Sequence, residues 1–392
     1  MKKLSLIILL VFIVILLILF NRNSEQGFGM PEITTRNILF LPQEVREFAF
    51  ANVDHLAPTR TVAAGNNIKE LNYSLQDWND FRYQVDDEIY SLDDFEGREA
   101  FRGLIVVQGN NILLEDYADG HEEDTTWVSF SVTKSITSML IGAAIKDGYI
   151  ESIDDPISDY IIALKGTEYE AVTIRNLLQM STGIAWNEDY GDPESDVAIA
   201  GTYNGERLIS YLSGLPRVAA PGALYNYNTA ESNLAGELLR SAINGNASIY
   251  LEEKIWSPYG MEHDAYWLLS SPNGSETGGC CLNATLRDYA RIGLFALDGG
   301  ILADGTETFA ADWMEISTSP SDQNSGYGLS WWLADEEAYY ARGIFQQWIY
   351  INPNKNLVIA THNNALRANQ DEDFRHVQAL INALSSQIIS LN

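Results

Sequence analysis

The chain carries the segment WVSFSVTKS at residues 127–135, which opens its most regular helical pattern. Apolar residues recur at helical spacing between Ser131 and Asp147, and Gly148 follows as a stop signal. This pattern predicts a helix over 131–147 that begins at Ser131.

Ser131 and Lys134 form the single Ser-x-x-Lys of the chain. A spacing of three places both side chains on one helix face, one turn apart. A lysine whose pKa is lowered by burial can take the proton of a serine hydroxyl, and the helix start offers backbone N–H groups to an oxyanion. The same residues also fit a serine N-cap followed by an ordinary surface lysine.

On both sides of this helix, the sequence shows strand patterns and helix patterns in different parts of the chain. Strands are predicted at 104–108, 112–115, 327–332, 347–351 and 357–360, with a tight turn at 109–111. Further helices are predicted at 173–180, 231–243, 284–297 and 371–388. Strands at both ends around a helical middle predict an α/β (α+β) fold: an antiparallel sheet flanked by helices, with an inserted helical lobe.

The N-terminus carries an apolar run at residues 4–20. Its length suits a membrane-spanning helix, and Lys2 and Lys3 before it place the N-terminus in the cytoplasm. We therefore expect a transmembrane anchor at 1–23, a spacer at 24–78 that partly drapes over the main domain, and an exported domain at 79–392. An atypical cleaved signal peptide is the alternative, and it also implies export.

Composition narrows the function classes. The 392 residues include 54 acidic and 24 basic side chains, a net charge of −30 that disfavours nucleic-acid binding. The two cysteines, Cys280 and Cys281, are adjacent, so no disulfide framework follows, and two buried thiols are favoured over a vicinal disulfide. His263 and His362 lack a partner pattern and are expected to be structural. No metal and no organic cofactor is predicted, and the oligomeric state is left open.

Several ordered motifs carry a family resemblance. WVSFSVTKS resembles the first active-site motif of the β-lactamase-related serine hydrolases, which include class C β-lactamases, DD-peptidases, esterases and nylon-oligomer hydrolases. Similar segments follow in the family's order at 172–183, 221–227 (PGALYNY), 281–291, 327–332 (YGLSWW) and 343–347 (GIFQQ). The last two, with WNEDY at 186–190, look most like the nylon-oligomer (aminohexanoate-dimer) hydrolase branch. The resemblance covers about residues 80–390 and implies a β-lactamase/transpeptidase-like fold.

The resemblance also implies roles for individual residues. Ser131 would be the nucleophile, Lys134 its base and Tyr227 a second proton carrier, whose phenolate the lysine ammonium would favour. Tyr225 lies on the same face of an extended segment, so the motif alone selects Tyr227. The backbone amides of Ser131 and Ile344 would form the oxyanion hole. Residues implied to face the substrate are Tyr190, Trp186 and Gly343, although a loop-packing role suits the two aromatic residues equally well.

Two departures from the family weaken penicillin chemistry. Thr229 stands where lactamases and DD-peptidases carry asparagine, and Asn228 is displaced by one position. Ala341-Arg342-Gly343 replaces their Lys-Thr-Gly, with Arg342 expected on the opposite strand face. We therefore expect an exported serine hydrolase that cleaves a small amide or ester through an acyl-enzyme and meets the membrane only through its N-terminal helix. A penicillin-recognising peptidase or lactamase and a non-catalytic tethered binding module are the alternatives.

Overall fold

A computed structural model describes residues 38–335, 338–369 and 371–389. The strands are β1 (Thr59–Val62), β2 (Asn72–Tyr73), β3 (Arg82–Val85), β4 (Glu88–Ser91), β5 (Phe101–Gln108), β6 (Asn111–Tyr117), β7 (Trp127–Val128), β8 (Ala265–Leu268), β9 (Leu282–Ala284), β10 (Trp332–Leu333), β11 (Tyr339–Gly343), β12 (Gln347–Asn352) and β13 (Leu357–Asn363). The longer α-helices are Gln43–Ala51, Val132–Lys146, Gly205–Ser213, Thr229–Ile243, Leu286–Leu297 and Asp371–Gln387. Shorter ones are Val53–Leu56, Leu92–Glu96, Ile174–Leu178, Asp196–Ala200, Ala247–Leu251, Ser257–Tyr259 and Trp313–Ser317.

The main sheet has seven strands in the order β10-β11-β12-β13-β5-β6-β2, and all neighbours are antiparallel except β2 and β6. Side chains alternate between its faces, so Ile105 and Val107 belong to one apolar cluster while Leu104 and Val106 belong to another. Helices Val132–Lys146 and Leu286–Leu297 contribute to the first cluster, and Asp371–Gln387 contributes to the second. An antiparallel sheet covered by helices on both faces confirms the predicted fold class.

The segment between β7 and β8 is helical, as the sequence predicts for its middle third. Its first helix, Val132–Lys146, buries every side chain from Val132 to Ala144, because apolar and small residues surround its whole circumference. Gly148, with φ +79°, follows its end in the left-handed conformation that terminates helices. This buried helix forms the base of the candidate site.

The predicted strand at 327–332 is wrong for most of its length. Only Trp332 belongs to a strand, and Ser330 has a φ of +63°, which breaks extended geometry. The backbone there turns toward the buried helix, where Ser135 and Ser138 donate hydrogen bonds to the carbonyls of Ser330 and Leu329. These long-range bonds outweigh the local strand propensity.

The described part of the predicted spacer, residues 38–78, is built into the fold. Strand β1 pairs with β8, and β2 pairs with β6. Arg46, in helix Gln43–Ala51, is buried and donates to the carbonyls of Ala365 and Leu366. The predicted transmembrane anchor lies outside the described residues, and within the ranges given above no helix combines the length and apolar character that crossing a bilayer requires.

Candidate active site

Ser131 lies at the junction between β7 and helix Val132–Lys146. Phe130 before it has a φ of +45°, while Ser131 itself has helical dihedral angles and occupies the N-cap position without a capping hydrogen bond from its side chain. The end of β11 packs directly against this junction: a Cβ at Gly343 would lie 2.3 Å from the carbonyl oxygen of Ser129 and 3.1 Å from the backbone nitrogen of Ser131. A glycine is therefore required for this close approach, which brings the adjoining residue Ile344 to the same pocket as Ser131.

Lys134 is buried one turn along the helix and reaches back to Ser131. Its Nζ donates to Ser131 Oγ at 2.8 Å, to the carbonyl of Gly279 at 2.9 Å and to Thr229 Oγ1 at 3.2 Å. Burial lowers the pKa of Lys134 to about 8, and the carboxylate of Glu188 partly opposes that shift. The predicted pairing of Ser131 with Lys134 is thus present, with an amine whose pKa lies close to neutral pH.

Small hydroxyl residues on the same helix hold the loops around the site. Thr137 donates to the carbonyl of Gly278 at 2.7 Å, next to the Gly279 carbonyl that accepts from Lys134. Ser135 donates to the carbonyl of Ser330 at 2.6 Å. Because serine and threonine are short, the loop backbones approach the helix closely and the Gly279 carbonyl stays within reach of Lys134.

The ring centroid of Tyr227 lies 5.2 Å from Lys134 Nζ. The ring stacks on Trp332 with 5.7 Å between centroids. Tyr225 and Tyr227 both pack against Tyr327, with 5.4 and 6.2 Å between ring centroids, and it is the ring of Tyr227 that lies near Lys134. The pKa of Tyr227 is raised by burial and by the charge of Glu188, which is opposite to the phenolate expected from the sequence.

Glu188 is a charged residue of the site that the sequence argument did not single out. Its carboxylate accepts from the backbone N–H of Thr229 at 3.0 Å, from the Thr229 hydroxyl, from the Tyr190 hydroxyl at 2.5 Å and from the indole N–H of Trp186. The sequence offered one signal for Glu188, its position within the 186–190 motif. A carboxylate two residues from a tyrosine in the same loop can accept a hydrogen bond from the hydroxyl of that tyrosine. Glu188 connects the motif loop to Lys134 through one hydroxyl.

Thr229 and Asn228 have separate tasks. Thr229 Oγ1 accepts from Lys134 and donates to Glu188, so it occupies the place next to the lysine amine. Asn228 is buried and caps helix Thr229–Ile243, where its Oδ1 accepts from the backbone N–H of Glu231 at 3.0 Å. The displaced asparagine is therefore used for capping, and the threonine takes the contact with Lys134.

The two aromatic residues of the motif loop differ in placement. Tyr190 lines the pocket beside Ser131, as a substrate-facing residue would. Trp186 is 8% exposed, packs edge-on against Tyr211 at 6.4 Å and does not line that pocket. Its role in the structure is to pack the loop and to donate to Glu188.

Arg342 lies on the opposite face of β11 from Ala341, as the strand alternation predicts. Its guanidinium packs over the rings of Trp332, Trp348 and Phe374 at 4.9, 5.7 and 4.8 Å. Ala341 is buried on the sheet face that packs against helices Val132–Lys146 and Leu286–Leu297. A cation held among three aromatic rings is a poor free anchor for a substrate carboxylate.

Cys280 and Cys281 line the pocket beside Ser131, and His362 lies outside that pocket. The structure joins Cys280 and Cys281 in a vicinal disulfide, so the expectation of two buried thiols was wrong. His362 is buried, with its Nδ1 3.0 Å from His121 Nε2, and Tyr289 packs edge-on against its ring. Among the described residues, no group of three or more histidine, cysteine or acidic side chains is arranged to hold a metal ion.

Comparison with known proteins identifies the family and the fold of the chain. The chain is 25% identical over 302 residues to the 6-aminohexanoate-dimer hydrolase of Paenarthrobacter ureafaciens, covering 71% of this chain and 75% of that protein. A Bacillus anthracis structure assigned as a 6-aminohexanoate-dimer hydrolase superposes with a TM-score of 0.76 at 20% identity, over 87% of this chain and 94% of the other. A family VIII carboxylesterase structure gives a TM-score of 0.56 at 18% identity, over 72% and 93%. The beta-lactamase family model matches residues 94–383, so the chain belongs to the beta-lactamase family of serine hydrolases.

Proposed function

We propose that this protein hydrolyses a small amide or ester through an acyl-enzyme formed on Ser131. The observation that carries the proposal is the 2.8 Å contact between Ser131 Oγ and a buried Lys134 whose pKa is lowered to about 8. A serine hydroxyl becomes a useful nucleophile only when a base of suitable pKa lies within hydrogen-bond reach. The relatives named as a dimer hydrolase and a carboxylesterase support a small-molecule substrate.

In the first step, neutral Lys134 takes the proton of Ser131 while Oγ attacks the carbonyl carbon of the substrate. The neutral amine has two N–H bonds, which suit the Gly279 carbonyl and Thr229 Oγ1, and its lone pair then faces Ser131. The tetrahedral oxyanion receives hydrogen bonds from the backbone amides of Ser131 and Ile344, which the close approach at Gly343 brings together.

In the second step, the bond between the carbonyl carbon and the leaving group breaks. The leaving oxygen or nitrogen takes a proton from the Tyr227 hydroxyl, and the Lys134 ammonium returns a proton to that tyrosine. A raised tyrosine pKa and a lowered lysine pKa suit this division into acid and base. Water then attacks the acyl carbon while neutral Lys134 takes its proton. The bond between that carbon and Ser131 Oγ breaks, Lys134 returns the proton to Oγ, and the acid product leaves.

The penicillin-recognising alternative has less support from the site. Arg342 packs among aromatic rings, and Ala341 offers no polar contact to a substrate carboxylate. The second alternative is a non-catalytic binding module, and such a module would not need a lysine whose pKa is lowered. We therefore favour the amidase or esterase.

Turnover of an aryl ester tests the proposal. The full chain and the variants Ser131→Ala, Lys134→Met and Ser386→Ala are compared by release of p-nitrophenol; Ser386 is an exposed serine on the last helix and serves as the matched control. We expect the first two variants to lose at least about 100-fold in kcat, within the range for one missing proton-transfer group, and Ser386→Ala to keep wild-type activity. Equal activity in Ser131→Ala and the wild type would exclude Ser131 as the nucleophile.

Export is part of the same proposal and is supported by residues 1–23 alone. A reporter that is active only outside the cytoplasm, fused after residue 392, tests it. Reporter activity with the full chain, lost when residues 1–23 are removed, supports an exported domain. Activity of a cytoplasm-only reporter at the same position would contradict it.

A further inference from the structure

An apolar pocket opens beside Ser131. Its cavity volume is about 70 Å³. Its apolar wall includes Val128, Phe130, Val197, Ala198, Leu268 and Ile344. Ile38 and Leu39, from the first described turn of the chain, also line it. The pocket is thus adjacent to the proposed nucleophile and built from several separate segments.

The pocket walls carry no charged side chain among the residues the structure describes. The two nearest charges of the site are already partnered: Lys134 has three hydrogen-bond acceptors, and Glu188 has four donors behind Thr229 and Tyr190. A charged group placed in this pocket would lose its hydration without gaining a partner. The pocket chemistry therefore favours an uncharged, apolar occupant.

Tyr227 does not belong to the wall of this pocket. Ser131 and Ile344, the two proposed oxyanion-hole residues, line the pocket, whereas Tyr227 and its stacking partner Trp332 do not. The leaving group must face Tyr227 to receive its proton. The acyl group is then the part of the substrate that the pocket can receive.

We propose that this pocket binds the acyl part of the substrate and selects uncharged, apolar acyl chains. The inference rests on the proposed function, because it assigns one half of the substrate to one side of Ser131. Burying each further methylene of an acyl chain should raise kcat/KM by about fourfold until the pocket is filled. A charged acyl chain of similar length should react far more slowly.

Wild-type selectivity provides the first test. p-Nitrophenyl acetate, butanoate and hexanoate are compared with the glutarate monoester, which is anionic, and with the 6-(trimethylammonio)hexanoate, which is cationic. We expect hexanoate to exceed both charged esters by at least about 100-fold in kcat/KM. Hydrolysis rates of ethyl, butyl and hexyl acetate, followed by acid release, should change much less along the series, because their chains leave on the Tyr227 side.

A charge placed at the rim provides the second test. Thr202 lines the pocket where it meets a neighbouring depression lined by Tyr203 and Leu269, and it is half-buried. Thr202→Lys should reduce the preference for hexanoate over glutarate by about tenfold or more. Thr202→Gln, of similar length without the charge, should leave this ratio within about twofold of the wild type.

The outcomes separate the two proposals. Ser131-dependent turnover without preference for apolar acyl chains, or with a preference that follows the alcohol chain, would overturn the acyl-pocket inference and leave the proposed function standing. An unchanged ratio in a folded Thr202→Lys variant would also overturn it. No turnover of any ester, together with no labelling of Ser131 by a fluorophosphonate, would remove the proposed function and the inference with it.

Discussion

Replacing Glu188 by glutamine tests whether this carboxylate controls the protonation of Lys134. Thr229 Oγ1 lies 3.2 Å from Lys134 Nζ and donates to Glu188, so a single hydroxyl separates the two charges. Opposite unit charges about 5 Å apart attract by about 2–3 kcal/mol at an effective dielectric constant of about 20–30. Removing the carboxylate should therefore lower the pKa of Lys134 by about 1.5–2 units.

The assay is the pH dependence of kcat/KM for an aryl ester between about pH 5 and pH 10, which reports the ionisations of the free enzyme. In the wild type, kcat/KM should fall on the acidic side of the profile with a midpoint near the Lys134 pKa of about 8, because only the neutral amine accepts the serine proton. This fall is the acidic limb of the profile. In Glu188→Gln the limb should move to lower pH by at least about one unit. The maximal rate should also fall, because the glutamine amide nitrogen cannot accept the hydrogen bonds that one carboxylate oxygen receives.

Two variants control for other effects. Asp189→Asn removes an exposed carboxylate from the neighbouring position and should leave the limb in place. Glu188→Asp keeps the charge and should hold the limb within about half a unit of the wild type. An unmoved limb in Glu188→Gln, or an equal movement in Asp189→Asn, would refute the assignment of Glu188 as the controlling charge.

Three further predictions follow from the same geometry. Tyr227→Phe should slow an anilide by about 100-fold or more while slowing a p-nitrophenyl ester much less, because p-nitrophenolate leaves without a proton; equal losses in paired kinetic assays would remove Tyr227 as the proton donor. Gly343→Ala should reduce kcat by at least about 100-fold, because the new Cβ would lie 2.3 Å from the Ser129 carbonyl and displace the oxyanion hole; full activity would show that this approach is not required. Burial raises the pKa of Glu231 to about 7, so this group stabilises the fold below about pH 4.5 and loses about 3 kcal/mol of that stability as the pH rises to 7. Denaturant unfolding of Glu231→Gln should lack this part of the pH dependence, and an unchanged pH profile would contradict the buried-acid assignment.

The local patterns of the sequence predict the frame of the molecule well. The helix predicted at 131–147 is observed as Val132–Lys146, because its apolar residues and Gly148 specify both burial and a stop. The strands predicted near 104–108 and 357–360 are observed as β5 and β13, since continuous apolar runs suit central strands covered on both faces. These features depend on residues that are close together in the chain, so a single sequence is enough to predict them.

Features that depend on contacts between residues far apart in the chain were harder to predict from the sequence. The segment at 327–332 resembles a strand locally, yet two serine hydroxyls of the buried helix draw its backbone into a turn. The raised pKa of Tyr227 arises from burial and from Glu188, which stands 39 positions earlier in the chain. The role of Glu188 itself requires knowing that its loop meets Thr229, and local spacing does not contain that information.

The most direct test of the central claim is intact-mass spectrometry of the full chain treated with a fluorophosphonate and, in parallel, with penicillin. Ser131→Ala serves as the control for both reagents. We expect one fluorophosphonate adduct on the wild type, none on Ser131→Ala and none from penicillin, because Lys134 contacts Ser131 Oγ while Arg342 is held among aromatic rings. A stable penicillin adduct on Ser131 would support a penicillin-recognising enzyme instead, and no adduct from either reagent would contradict an activated Ser131.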